Sequence, residues 1–135
     1  MALQLSVAVR NAVLDAIEST IGTSAVLKIR TGAAPASVAT ADSGTVLATL
    51  TLPSDWMAAA SSGSKAKSGT WEDASADAAG TAAHYRIYAS DGTTAHLQGT
   101  VTATGGGGDL TVDNVVFAAG QSFTVTSYSW TAANS

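Results

Sequence analysis

The sequence predicts a mainly β fold, an antiparallel β-sandwich or jelly-roll-like domain with one N-terminal amphipathic α-helix. Three observations predict it. Apolar residues recur at helical spacing up to Gly22 and at period two beyond it. Short alternating runs are then separated by Gly, Ser, Thr, Asp and Pro, the chemistry of turns. The 135 residues suffice for about one domain, expected over 1–135, with the helix at about 6–21 and the sandwich at about 25–131.

The helix comes first. Ser6 stands where an N-cap belongs and Gly22 where a C′ glycine belongs. Val9, Val13, Ile17 and Ile21 recur every four residues, and Arg10, Asp15, Glu18 and Ser19 lie off that stripe. The stripe is expected to cover a sheet or another subunit, core being the commoner use of such a stripe. The same segment has no basic start, and its charges interrupt the apolar run, so it reads as a helix rather than a signal peptide.

The strands follow. "SAVLKIRT" alternates, with Ala25, Leu27 and Ile29 on one face and Val26, Lys28 and Arg30 on the other. "TVLATLTL" places Val46, Ala48, Leu50 and Leu52 inward, and Pro53 ends it. One short strand is expected around Lys65 to Trp71, followed by an acidic loop with Glu72, Asp73 and Asp77. Near the C-terminus, Phe123 and Val125 share a face, with Thr124, Thr126, Tyr128 and Trp130 opposite. The total is about seven strands joined by short turns.

The clearest local signal is "AAHYRIYASDGTTAHLQGTVTA". Two alternating runs flank Ser90-Asp91-Gly92. A two-residue loop would mix Tyr85 and Ile87 with His96 and Gln98. A three-residue loop with Gly92 left-handed puts Ala83, Tyr85 and Ile87 on the face of Ala95, Leu97, Gly99 and Val101. The apolar pattern selects the second register, because a one-residue slip reverses every side chain. It places His96 opposite Arg86, with His84 one diagonal step away.

Composition excludes several classes. The formal net charge is −4, and Arg10, Lys28, Arg30, Lys65, Lys67 and Arg86 are spread along the chain, so no basic patch for nucleic acid is expected. No apolar run is long enough for a membrane-spanning helix. The chain has no cysteine, which removes disulfides, thiolate metal sites and cysteine nucleophiles. Its abundant Ala, Gly, Ser and Thr suit packing between subunits.

The candidates for chemistry are few. His84 and His96 are the only histidines, and the face they share offers Arg86, Tyr88, Thr94 and Gln98 but no carboxylate, a poor metal site. No G-x-S-x-G elbow or acid-oriented histidine is present. Asp109 with Asp113, Asp73 with Asp77, and Asp55, Glu72 and Asp91 from separate loops read as turn formers rather than calcium or glycosidase carboxylates. Gly105 to Gly108, followed by Asp109, lack the Lys-Ser/Thr of a phosphate loop and stand between two strands. They read as a connection that also lets a neighbouring backbone approach. No catalytic residue, cofactor or metal is expected.

The order "VRNAVLDAIESTIGTSAVLKIRTG", "GTVLATLTLPSDWM", "SGTWEDASADAAGTAAHYRIYASDGTTAHLQGTV" and "GGGGDLTVDNVVFAAGQSFTV" resembles small tailed-bacteriophage virion proteins of the capsid decoration, or cement, type. The resemblance is in general plan and carries no residue-by-residue roles. It implies a non-enzymatic homo-oligomer in the virion, assembled in the host cytoplasm, that binds major capsid protein or other virion subunits and stabilises the head. A tail or fibre component has the same plan. A carbohydrate-binding or adhesive β-sandwich is the alternative from another class, and it requires exposed Trp56 and Trp71. For either contact role the expected interface residues are Trp56, Trp71, His84, Arg86, Tyr88, His96, Tyr128 and Trp130.

Overall fold

The computed structural model describes residues 3–132; the outermost positions of the expected 1–135 domain lie outside the described residues. Helix α1 (Val7–Ile21) precedes β1 (Val26–Arg30), β2 (Val46–Thr51), β3 (Ser64–Ala66), β4 (Trp71–Asp73), β5 (Gly80–Thr81) and β6 (His84–Tyr88). Then come β7 (Ala95–Ala103), β8 (Leu110–Val112), β9 (Val116–Phe117), β10 (Phe123–Val125) and β11 (Ser129–Thr131). The fold is mainly β and sandwich-like with one N-terminal helix, as the sequence predicts. The strands outnumber the expected seven because several segments break into short pieces. The single strand expected at Lys65–Trp71 is two, β3 and β4, with Gly69 between them at φ 72° and packed on Pro53.

Both ends of α1 match their sequence signals. The Ser6 Oγ accepts from the Val9 N–H at 3.2 Å, and Gly22, at φ 96°, donates its N–H to the Glu18 carbonyl.

The largest sheet has the order β2-β1-β6-β7-β8. Smaller pairs β10-β4, β11-β3 and β5-β9 complete the framework. One apolar core joins Leu27, Ile29, Leu50 and Ile87 of the large sheet to Trp56, Trp71, Phe123 and Val125. Each large side chain so buried contributes about 1.5–3 kcal/mol of transfer free energy.

The hairpin β6–β7 keeps the predicted faces but not the predicted pairs. Tyr85 lies opposite Gly99, Ile87 opposite Leu97, and Arg86 opposite Gln98 rather than His96. Two extra residues cause the shift. The Ala89 N–H donates to the Thr94 carbonyl, which makes the loop one residue longer than expected. His96 is then bulged out of the ladder between Ala95 and Leu97. A displacement of two restores the original face, so the apolar pattern alone does not distinguish the two registers.

Strand β8 pairs with β7 in parallel, Val101 to Leu110 through Ala103 to Val112. Parallel neighbours ordinarily need a crossover of about a dozen residues, yet only Thr104–Asp109 intervene here. The glycine run makes this possible by folding back along β7. Gly105 and Gly107 take φ 91° and 81°, which favour glycine, while Cβ atoms on Gly106 and Gly108 would come within 2.8 Å of Thr102. The four glycines thus alternate between two jobs, turning the chain and letting it lie against Thr102.

The exposed edge of β2 is closed by side chains and loop backbone. Asp73 Oδ2 accepts from the Thr49 N–H at 2.9 Å, and the Asp77 N–H donates to the Leu47 carbonyl at 2.7 Å.

Candidate functional site

The expected interface residues sit mostly inside the molecule. Trp56 and Trp71 are fully buried, 6.0 Å apart and tilted by 48°, so the exposed pair that the carbohydrate alternative requires is absent from this location. Trp56 donates its indole N–H to the Gly22 carbonyl and Trp71 to the Ser68 carbonyl, which lets both rings be buried without an orphaned donor. Tyr128 is buried beside Trp71 and Tyr85, while Trp130 is half-buried at the edge of this cluster.

His84, Arg86 and Tyr88 are also buried, and the polar hairpin face expected to meet a partner is already covered. The covering is the segment 31–45, which folds back over it. Asp42 is the keystone. It accepts from Arg30 at 3.1 Å, from Arg86 at 2.9 Å and from the Tyr88 hydroxyl at 2.8 Å. Arg86 also donates to the Ser37 carbonyl and to Gln98, which itself donates to the Pro35 carbonyl. Burial opposes the charge on Asp42, but the Tyr88 hydrogen bond and the two guanidiniums outweigh it and hold its pKa below the ordinary value. His84 Nδ1 lies 2.7 Å from the Gly32 carbonyl. A carbonyl only accepts, so Nδ1 carries the proton. His96, in the bulge, is the one exposed member of the expected set.

Helix α1 keeps the expected core stripe only in its C-terminal half: Ile21 is buried and Ile17 packs on the core, while Val9 and Val13 face outward. Its inward side also carries the charges. Asn11 accepts from the Gly63 N–H at 2.9 Å, Asp15 from the Ala60 N–H at 3.0 Å, and Glu18 from the Met57 N–H at 3.1 Å. Asp15 and Glu18 also clasp the buried Lys65 ammonium at 2.7 and 2.9 Å. Burial disfavours that charge, but the two carboxylates outweigh burial and raise the Lys65 pKa. The Lys65 and Ala60 hydrogen bonds lower the pKa of Asp15. Leu14 and Ile21 are the buried apolar anchors.

The outward side of α1 is Ala8, Val9, Ala12, Val13, Ala16, Ser19 and Thr20, all exposed and all uncharged. Val9 and Val13, expected in the core, are 46% and 47% exposed, and Val7 and Leu3 extend the surface at 46% and 79%. Hydrophobicity alone assigns Val9 and Val13 to the core along with Ile17 and Ile21. It does not register that the edge N–H groups of 57–63 and the Lys65 ammonium need acceptors, which Asn11, Asp15 and Glu18 supply.

A cleft of about 370 Å³ lies between α1 and strands β7 and β11. Tyr85, Tyr128, Trp130 and Asp109 line it with Leu14 and Leu97. The Trp130 indole N–H donates to the Tyr128 hydroxyl at 2.8 Å, and the two tyrosine hydroxyls are 2.7 Å apart. Burial, foremost, raises the pKa of both tyrosines, so each keeps its hydrogen at neutral pH. Gly99 makes the room. A Cβ there would lie 2.7 Å from the Tyr85 ring and 2.9 Å from Asp109 Cβ. The folded-back glycine loop delivers Asp109 to this place, where its Oδ2 accepts from the Thr100 N–H and hydroxyl.

The other acids weighed in sequence serve the backbone or the surface. Asp91 accepts from the Thr93 and Thr94 N–H groups and from the Thr94 hydroxyl, which depresses its pKa strongly. Asp73 and Asp77 bond Thr49. Among the described residues no three His, Asp or Glu side chains gather to hold a metal ion, and no helix is long and apolar enough to cross a membrane. Comparison with family models, curated proteins and solved structures gives no match.

Proposed function

We propose that this chain is a non-enzymatic structural subunit of a tailed-phage particle, of the capsid decoration type, and that the outward side of α1 is its contact surface. The observation that carries the reading is the outward side of α1: Asp15 and Glu18 are turned into the fold, and an uncharged valine and alanine surface is turned out. Contiguous exposed apolar surface of this kind marks interaction sites on soluble proteins. The virion assignment rests on the sequence resemblance, and the helix surface supplies the means of attachment. Burying valines and alanines against a matching capsid surface needs no charged partner, which suits a chain with so few surface charges.

Phage heads lacking the chain test this reading by co-sedimentation with purified protein. Heads should bind the wild type and lose binding to a Val9→Glu/Val13→Glu variant. Heads that leave the wild type in the supernatant would remove the capsid assignment.

A further inference from the structure

The cleft beside β7 carries an imbalance of hydrogen-bonding groups. Its volume of about 370 Å³ falls within the range of about 300–1,000 Å³ typical of small-molecule sites. Tyr128 oxygen accepts the Trp130 N–H, and the two tyrosine hydroxyls share one further bond. Two phenols bring two hydrogens, and that bond uses one. Whichever tyrosine donates, the hydrogen of the other has no acceptor among the described residues. Asp109 is the converse: Oδ2 is bonded to Thr100, and Oδ1 has no donor among the described residues. The Tyr85 oxygen and the Asp109 Cβ lie 2.8 and 2.9 Å from one common point, the place a Cβ on residue 99 would occupy. One spare donor, on Tyr85 or Tyr128, and one spare acceptor, on Asp109, therefore line the same cleft.

The walls add shape. Leu14 and Leu97 are aliphatic, and the Trp130 ring is held edge-on to Trp56 at 84° and pinned through its N–H. We propose that this cleft binds the ring of a neutral sugar. One sugar hydroxyl accepts from the free tyrosine O–H and donates to Asp109 Oδ1, while the C–H face of the ring packs on Trp130 and the leucines. Other ligand classes fit less well. A lysine or arginine side chain satisfies Asp109 but offers the tyrosine only donors. An anion meets the charge of Asp109. A plain hydrocarbon gives neither polar group a partner. The site is separate from the outward side of α1, so it stands or falls independently of the capsid reading.

The test is an NMR titration of the full chain followed at the three tryptophan indole N–H signals. The probes are methyl glucoside, methyl galactoside and N-acetylglucosamine at millimolar concentration, with n-butylammonium as the cationic counter-probe. At least one sugar should shift the Trp130 signal while Trp56 and Trp71 stay in place. Asp109→Asn keeps a carbonyl oxygen for Thr100 but places an amide donor or loses the charge at the free position. It should weaken sugar binding on the order of tenfold with an unchanged circular dichroism spectrum. Trp130 shifts caused by n-butylammonium alone would overturn the proposal. So would a cleft indifferent to every sugar, holding water only, or wild-type sugar binding by Asp109→Asn.

Discussion

The Lys65 ammonium lies 2.7 Å from the Asp15 carboxylate, joining a buried strand residue to the inward side of α1. Glu18 completes the clasp at 2.9 Å. This contact sets the orientation of the helix, because it requires the charged side of α1 to face the fold. Lys65→Met should therefore loosen α1 and destabilise the protein by about 2 kcal/mol, below the usual cost of breaking a buried ion pair because Asp15 is partly in water. Chemical denaturation measures it. A variant as stable as the wild type would show that the leucine and isoleucine contacts alone hold the helix.

Acid should release the helix and the segment 31–45 together. Asp15 and Asp42 both have pKa values lowered from 3.8. A depressed carboxylate pKa gives stability that is present above the ordinary value and lost as pH falls through the folded value. Lys65, with its pKa raised from 10.5, behaves in the reverse sense: its contribution is full below that value and is lost as pH rises through the folded one. Hydrogen exchange should show the Ala60 amide, which donates to Asp15, losing protection below pH 3.8 ahead of the β1 and β6 amides. Uniform loss across the chain would contradict a locally held dock.

The glycine loop should respond to substitution in two distinct ways. Gly107→Ala strains a left-handed residue in open space and should cost about 1–2 kcal/mol whatever occupies position 102. Gly108→Ala meets the Thr102 side chain and should cost about 1–3 kcal/mol, partly recovered by adding Thr102→Ala. A double-mutant cycle on thermal midpoints separates the two. Equal coupling of both glycines to Thr102 would refute the alternation of roles.

Sequence reveals the elements governed by local chemistry. Ser6 and Gly22 bound α1 because capping depends on a few adjacent residues. The inner face of the β6–β7 hairpin follows from period-two burial of Tyr85, Ile87 and Leu97. What is not legible depends on distant partners. The His96 bulge and the longer loop cancel in the apolar pattern. Asp42 reaches Arg86 across 44 residues, and no local spacing announces that pairing. The inward turn of Asp15 and Glu18 depends on strand-edge N–H groups that appear only once the chain is folded. The cleft was equally hidden: Tyr85, Asp109 and Trp130 are scattered in sequence, and only the missing side chain of Gly99 hints at the crowding there. Trp56 and Trp71, the most conspicuous side chains in the sequence, proved to be core.

The uncharged outward side of α1 is proposed to be a surface for assembly. Sedimentation equilibrium of the wild type beside Val9→Glu/Val13→Glu, over a wide concentration range and with phage heads present or absent, tests it most directly. The wild type should associate, with itself or with heads, and the glutamate variant should remain a folded monomer free of both. A wild type that stays monomeric and unbound throughout, or a variant that associates equally well, would contradict it.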